Sequence, residues 1–171
     1  YGEYDKFREA VKGNSHATIF GYYVSDPERY GVIRFDGDKP VSIIEKPAEH
    51  ISNYAVPGFY VYDSSVVDIA KELKPSGRGE LEITDVNNVY LEKDRLDVVK
   101  LGRGFAWLDT GTPASMMDAS NFIETIEKRQ SLKIGCIEEI AMRMDYIGRE
   151  DFIKLASSYP DCAYREYLLS I

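Results

Sequence analysis

Three stretches hold charged residues where chemistry can use them. Asp109 ends an aromatic and aliphatic run, Leu101-Gly102-Arg103-Gly104-Phe105-Ala106-Trp107-Leu108-Asp109, and Thr112-Pro113 follows as a helix start. Read as a buried strand, this run delivers a carboxylate to the mouth of a sheet, where open α/β sheets gather ligands, so Asp109 can hold a metal or a substrate hydroxyl. The same residue can instead cap the helix or pin the loop. Glu45-Lys46-Pro47 closes a second apolar run with adjacent opposite charges. On a regular strand these side chains point to opposite faces, and Pro47 biases Lys46 toward extended backbone. A solvated ion pair is the alternative reading. Arg78, between Gly77 and Gly79, can swing onto an anion or serve only solubility. Asp36-x-Asp38 has the form of a metal-binding pair, but Gly37 and Pro40 beside it make turn chemistry sufficient.

Periodicity supplies the elements that must position these groups. Residues 1–12 carry Tyr4, Phe7 and Val11 at helical spacing, a short lid helix. Residues 17–24 are almost continuously apolar, a strand buried on both faces. Residues 30–35 and 41–46 alternate and read as a hairpin joined through 36–40. Residues 53–63 form an aromatic strand with a bend or bulge at Pro57-Gly58. A helix capped by Asp63 or Ser64 buries Val66, Val67, Ile69, Ala70 and Leu73 and stops at Pro75. A second, over 82–93, turns Ile83, Val86, Val89 and Tyr90 inward, and a strand over 96–101 leads into the Asp109 run. The longest helix, 113–129, buries Met116, Ala119, Phe122, Ile123 and Ile126. Residues 131–171 form a helical appendage, giving a division into 1–130 and 131–171.

The totals remove whole classes of function. A net charge of -8 over 171 residues offers no basic stripe for nucleic acid or an anionic membrane. Cys136, Cys162, His16 and His50 lack metal-ligand spacing, which fits a reduced, cytoplasmic setting without zinc. No apolar run reaches the ~20 residues of a membrane span. Gly77-x-Gly79 and Gly102-x-Gly104 are too short for a dinucleotide or P-loop fingerprint, so the chain reads as the later part of a larger sheet.

Taken in order, the motifs resemble one family over nearly the whole chain. They are Asp26-Pro27-Glu28-Arg29-Tyr30-Gly31-Val32, Glu45-Lys46-Pro47, Ser52-Asn53-Tyr54-Ala55-Val56, Arg78-Gly79-Glu80-Leu81-Glu82-Ile83-Thr84-Asp85, Trp107-Leu108-Asp109-Thr110-Gly111-Thr112 and Glu138-Glu139-Ile140-Ala141. The chain resembles the glucose-1-phosphate thymidylyltransferases among the sugar nucleotidyltransferases. Glu45-Lys46-Pro47 is shared widely in that group, whereas residues 78–85 and the tryptophan stretch resemble the thymidylyl branch.

The resemblance implies the C-terminal part of a Rossmann-like mixed α/β nucleotidyltransferase fold, with the nucleotide-binding half and a second metal-binding aspartate ahead of Tyr1. It implies synthesis of dTDP-glucose from dTTP and glucose 1-phosphate with Mg²⁺, for deoxysugars of the dTDP-rhamnose type, by a homotetramer, and no turnover by this chain alone. By resemblance Lys46 and Arg78 bind the sugar phosphate, Glu45 accepts from glucose hydroxyls, and Tyr30, Gly31, Val56, Tyr60, Thr84 and Trp107 complete the pocket. Asp109 becomes one of two carboxylates on Mg²⁺. A remote regulatory nucleotide site would draw on Tyr1, Gly2, Arg103, Glu139, Ile140 and Arg143, although Glu139 and Arg143 also suit a helix-surface ion pair. The rival function is a non-catalytic sugar-phosphate or nucleotide-binding regulatory module.

Overall fold

A computed structural model describes residues 4–12 and 16–171. They divide into two compact units, the first ending at Trp107 and the second spanning Leu108–Ile171, so the boundary expected at 130/131 falls inside the second unit.

The first unit is built on β1 (Ala17–Tyr23), whose Ala17, Thr18, Ile19 and Phe20 are all buried. Ala17 packs with Ile69, Val86 and Tyr90, and Ile19 with Ile33, Ile43 and Val56. Phe20 points the other way, against Phe7 of α1 (Tyr4–Lys12), with ring centroids 4.6 Å apart. Burial on both faces is what the unbroken apolar run demands, and α1 covers it through Phe7, whereas Val11, expected on the same helical face, is 59% exposed.

β2 (Gly31–Asp36) and β3 (Lys39–Glu45) form the hairpin. Its turn is only Gly37-Asp38, with Gly37 at φ +60°, so Lys39 and Pro40 belong to the strand and not to the connection. A proline is tolerated there because β3 is the sheet edge. The aromatic run 53–63 is not one strand. β4 (Tyr54–Ala55) and β5 (Tyr60–Val61) lie antiparallel to β1 in succession, and their registers differ by two residues. Pro57 has no N–H to give the ladder, and the Val56 amide donates to Gly31 O at 2.8 Å. β6 (Leu96–Lys100) runs parallel to β1 along its other edge. α2 (Val66–Glu72) and α3 (Ile83–Glu92) cover the sheet. Their cores are narrower than the spacing implies, for Val67, Ala70 and Ile83 are exposed while Thr84 and Asn87 are buried.

The second unit opens with α4 (Pro113–Gln130), started by a reciprocal capping box between Thr112 and Ser115. Ala119 is buried, but Met116 is 55% exposed, so the methionine is not core filler. α5 (Ile137–Arg143), α6 (Arg149–Ser158) and α7 (Ala163–Ser170) enclose Cys136, Phe152, Ala156 and Leu168. Buried Glu138 accepts hydrogen bonds from Tyr159 and, at 2.6 Å, from Tyr164. These donors hold its carboxyl below the ordinary range. No helix among the described residues is long and apolar enough to cross a membrane.

Candidate functional site

The hairpin and α3 meet at Gly31, Glu45 and Thr84. Gly31 of β2 lies directly across the ladder from Glu45 of β3. Thr84 in the first turn of α3 donates to Glu45 Oε2 at 2.6 Å. A Cβ on Gly31 would sit 3.0 Å from Thr84 Oγ1 and 3.1 Å from Glu45 Oε2, so the pair exists because residue 31 has no side chain. One turn further along α3, Asn88 clasps the edge strand. It accepts from Ile43 N at 3.1 Å and donates to Ile43 O at 2.9 Å, two residues before Glu45. Helix and strand are thereby locked on either side of the carboxylate.

Lys46 departs from expectation. Its φ is +43°, left-handed and not the extended backbone that Pro47 favours, and its amide donates to Tyr30 O at 2.9 Å. The turn follows the end of β3 at Glu45 and falls on the residue that carries the exposed ammonium. A non-glycine residue there costs on the order of 1–3 kcal/mol, which the surrounding hydrogen bonds must offset.

The other expected pocket residues gather in the same unit. Trp107 packs on Tyr30 at 4.8 Å between centroids and on Tyr22 at 5.8 Å. Val56 is bound through its amide to Gly31 O. Tyr60 stacks on Tyr62 at 5.9 Å, and burial together with the nearby Glu45 charge raises its hydroxyl pKa. Burial likewise pushes up Tyr62.

Arg78 faces three carboxylates. Its guanidinium lies 2.8 Å from Glu80, 3.7 Å from Glu82 and 3.8 Å from Glu45. Glu45, Arg78, Thr84, Ser76 and Glu82 line a cavity of about 310 Å³. A larger groove of about 690 Å³ runs along β3 and α3, lined by Lys39, Ser42, Glu92 and Asp94 among others, and contains none of the candidate sugar-phosphate residues. Ser76, Glu80 and Glu82 escaped the reading of the sequence. Their signal was proximity alone, a serine and two glutamates within four residues of an arginine.

Asp109 is not delivered by a strand. Residues 101–110 are irregular after β6 ends at Lys100, and Asp109 belongs to the second unit. Its Oδ1 accepts from Gly111 N at 3.2 Å, the loop-pinning geometry. Among the described residues no three His, Cys, Asp or Glu side chains converge as a metal cage. A single half-buried carboxylate fits Mg²⁺ only as one ligand of an ion otherwise held by substrate phosphates and waters.

For the regulatory set, Tyr1 and Gly2 lie outside the described residues. Arg103 is an exposed residue of the first unit, and Ile140 is 49% exposed on α5. Glu139 accepts from Arg143 Nε at 2.7 Å and from the Tyr167 hydroxyl, so the helix-surface ion pair is formed.

Residues 3–126 match the family model described as nucleotidyl transferase. The chain belongs to the nucleotidyl transferase family. It is 49% identical over 172 aligned residues to the glucose-1-phosphate thymidylyltransferase of Xanthomonas campestris pv. campestris strain B100, covering 100% of this chain and 58% of that protein. To the enzyme of that name from Mycolicibacterium smegmatis it is 51% identical over 158 residues, 92% of this chain and 55% of the relative. The chain thus spans a little over half the length of these relatives. A Bacillus anthracis structure assigned as a glucose-1-phosphate thymidylyltransferase, with sucrose bound, is 41% identical with a TM-score of 0.63 over 71% of this chain and 49% of that one. A UDP-glucose pyrophosphorylase with UDP-glucose bound, 24% identical and covering 71% of this chain and 46% of its own at a TM-score of 0.58, shares the fold. The mixed sheet with flanking helices is therefore the nucleotidyl transferase fold.

Proposed function

We propose that this chain carries the sugar-phosphate-binding part of a glucose-1-phosphate thymidylyltransferase. The observation that carries the reading is the Glu45–Thr84 pair beneath Gly31, with Arg78 3.8 Å from Glu45 and Lys46 next in sequence. A hydrogen-bond acceptor for hydroxyls beside a guanidinium is the complement of a sugar phosphate, and Lys46 adds a second cation next in sequence. Thr84 occupies Glu45 Oε2 and orients the carboxylate, so Oε1 faces the cavity side where Arg78 lies.

In the proposed reaction a phosphate oxygen of glucose 1-phosphate attacks the α-phosphorus of dTTP. The bond from that phosphorus to the β-phosphate oxygen breaks, releasing pyrophosphate and dTDP-glucose. The attacking oxygen is already ionised, so the protein's work is positioning and offsetting the repulsion between two anions. Arg78 presents a planar fork of donors suited to phosphate, and Lys46 a compact charge. Trp107 and Tyr30 form an apolar wall of the kind on which a sugar ring lies. Asp109 would hold Mg²⁺, which when bound neutralises charge on the nucleotide phosphates.

Isothermal titration calorimetry of the 171-residue chain with glucose 1-phosphate tests the reading. Binding is expected, abolished by Lys46→Ala and weakened but still measurable in Arg78→Ala. No heat with the wild type, or unchanged affinity in both variants, refutes it. Tight binding of dTTP in the absence of sugar phosphate would favour a regulatory nucleotide module instead.

A further inference from the structure

The loop between α2 and α3 is a mount for one side chain. Ser76 makes four hydrogen bonds within it. Its amide donates to Glu80 O at 2.8 Å and its carbonyl accepts from Gly79 N at 2.8 Å. Its Oγ accepts from Arg78 N at 3.2 Å and donates to Glu82 Oε1 at 2.9 Å. Gly79, at φ +78°, closes the turn in a conformation that side chains resist. Glu82, whose side chain is 12% exposed, anchors the serine, whereas Glu80, at 63%, lies in solvent with its carboxylate on Arg78 Nη2.

From this division of labour we propose that Ser76 is the positioning residue for Arg78 and that Glu80 is an internal anion occupying the arginine until a phosphate displaces it. The proposal deepens the sugar-phosphate reading and rests on it. A glycine-flanked loop without Ser76 would let the guanidinium sample many orientations, and ordering it would then be charged against binding. Glu80 competes because its carboxylate offers the same geometry to the guanidinium fork as a phosphate does. As an exposed pair it is weak, so a dianionic phosphate displaces it, but it still reduces the apparent affinity.

The two residues therefore act with opposite signs. Calorimetry with glucose 1-phosphate should show Ser76→Ala binding roughly 10-fold more weakly, with Ser76→Thr restoring affinity through the retained hydroxyl. Glu80→Gln should bind about 2- to 5-fold more tightly, the span an exposed ion pair allows. In an Arg78→Ala background neither substitution should have any effect, since the coupling runs through the guanidinium. Loss of fold cannot produce a gain of affinity, so the Glu80→Gln result separates positioning from mere stability. Unchanged affinity in Glu80→Gln, or effects that persist without Arg78, overturns the proposal. The same series titrated with inorganic phosphate, followed by the Arg78 side-chain NMR signal, keeps the two ideas apart. If glucose 1-phosphate fails to bind the wild type, the sugar-phosphate reading falls. The mount stands only if Glu80→Gln then binds phosphate most tightly and Ser76→Ala least, and any other order overturns it.

Discussion

Gly31→Ala is the sharpest perturbation that the site allows, because one methyl group should separate binding from stability. The new Cβ would lie 3.0 Å from Thr84 Oγ1 and 3.1 Å from Glu45 Oε2, so both must yield by a few tenths of an ångström. Thr84 cannot retreat with its helix. It is 4% exposed, and Asn88 one turn on is tied to both the amide and the carbonyl of Ile43. The hydroxyl and the carboxylate must instead take up the shift, which strains the 2.6 Å hydrogen bond between them and turns the Glu45 carboxylate. A hydrogen bond to a charged group is worth about 1.5–3 kcal/mol, so loss of Glu45 orientation sets a ceiling of roughly 10- to 100-fold in affinity for glucose 1-phosphate. Stability moves less, because alanine in place of glycine restricts the unfolded chain and returns about 0.4–1 kcal/mol. Calorimetric titration beside a thermal melt should therefore show a large fall in affinity with a small change in Tm. In a Thr84→Ala background the methyl has one neighbour fewer and should cost little more. Wild-type affinity in Gly31→Ala, or an affinity that falls only in step with Tm, would refute the role given to this contact.

The left-handed backbone of Lys46 predicts opposite effects from one change. Lys46→Gly should stabilise the first unit by about 1 kcal/mol in chemical denaturation while destroying glucose 1-phosphate binding, and a destabilised variant would count against the strain. Trp107 is the single tryptophan and packs on Tyr30, so glucose 1-phosphate should change its emission in a saturable way that yields the calorimetric Kd. Saturation without a spectral change would place the sugar elsewhere. For Glu138 the sign runs through its lowered carboxyl pKa. The folded state binds the proton less tightly than the unfolded one, so stability is full above the ordinary value of about 4.3 and lost as pH falls through the lower folded value. Glu138→Gln should lower stability at pH 7 by about 1–2 kcal/mol, since an amide cannot accept from both tyrosines through equivalent oxygens, and should flatten the decline between pH 5 and 3. Melts followed by circular dichroism at those pH values check this, and an acid limb as steep as that of the wild type would assign it to other carboxylates.

The parts legible in the sequence are those where burial dictates residue type. Ala17-Thr18-Ile19-Phe20 had to be a central strand because each face of it meets a separate apolar cluster. Thr112-Pro113 starts a helix because the Thr112 and Ser115 side chains satisfy each other's amides in its first turn. The apolar run through Phe105 and Trp107 misled for the converse reason. Leu101 N to Gly21 O at 2.9 Å is the last bond of that edge of β1, and beyond it the aromatic rings are spent on Phe7, Tyr30 and Tyr22 rather than on a sheet face. Both patterns use the same residue types, and periodicity cannot tell them apart. In the site, the residue identities were readable from motifs, but their mutual arrangement was not. Gly31 matters for an absent atom, Lys46 for a backbone angle its neighbour disfavours, and Ser76 for bonds inside a loop with no period. Of the three only Lys46 breaks a local rule, with left-handed backbone on a residue that precedes proline, and such breaks occur where something other than folding selects the residue. The departures at Lys39-Pro40 and between β4 and β5 have folding causes, a sheet edge and a proline without an N–H, whereas the left-handed turn at Lys46 carries an exposed cation next in sequence to Glu45.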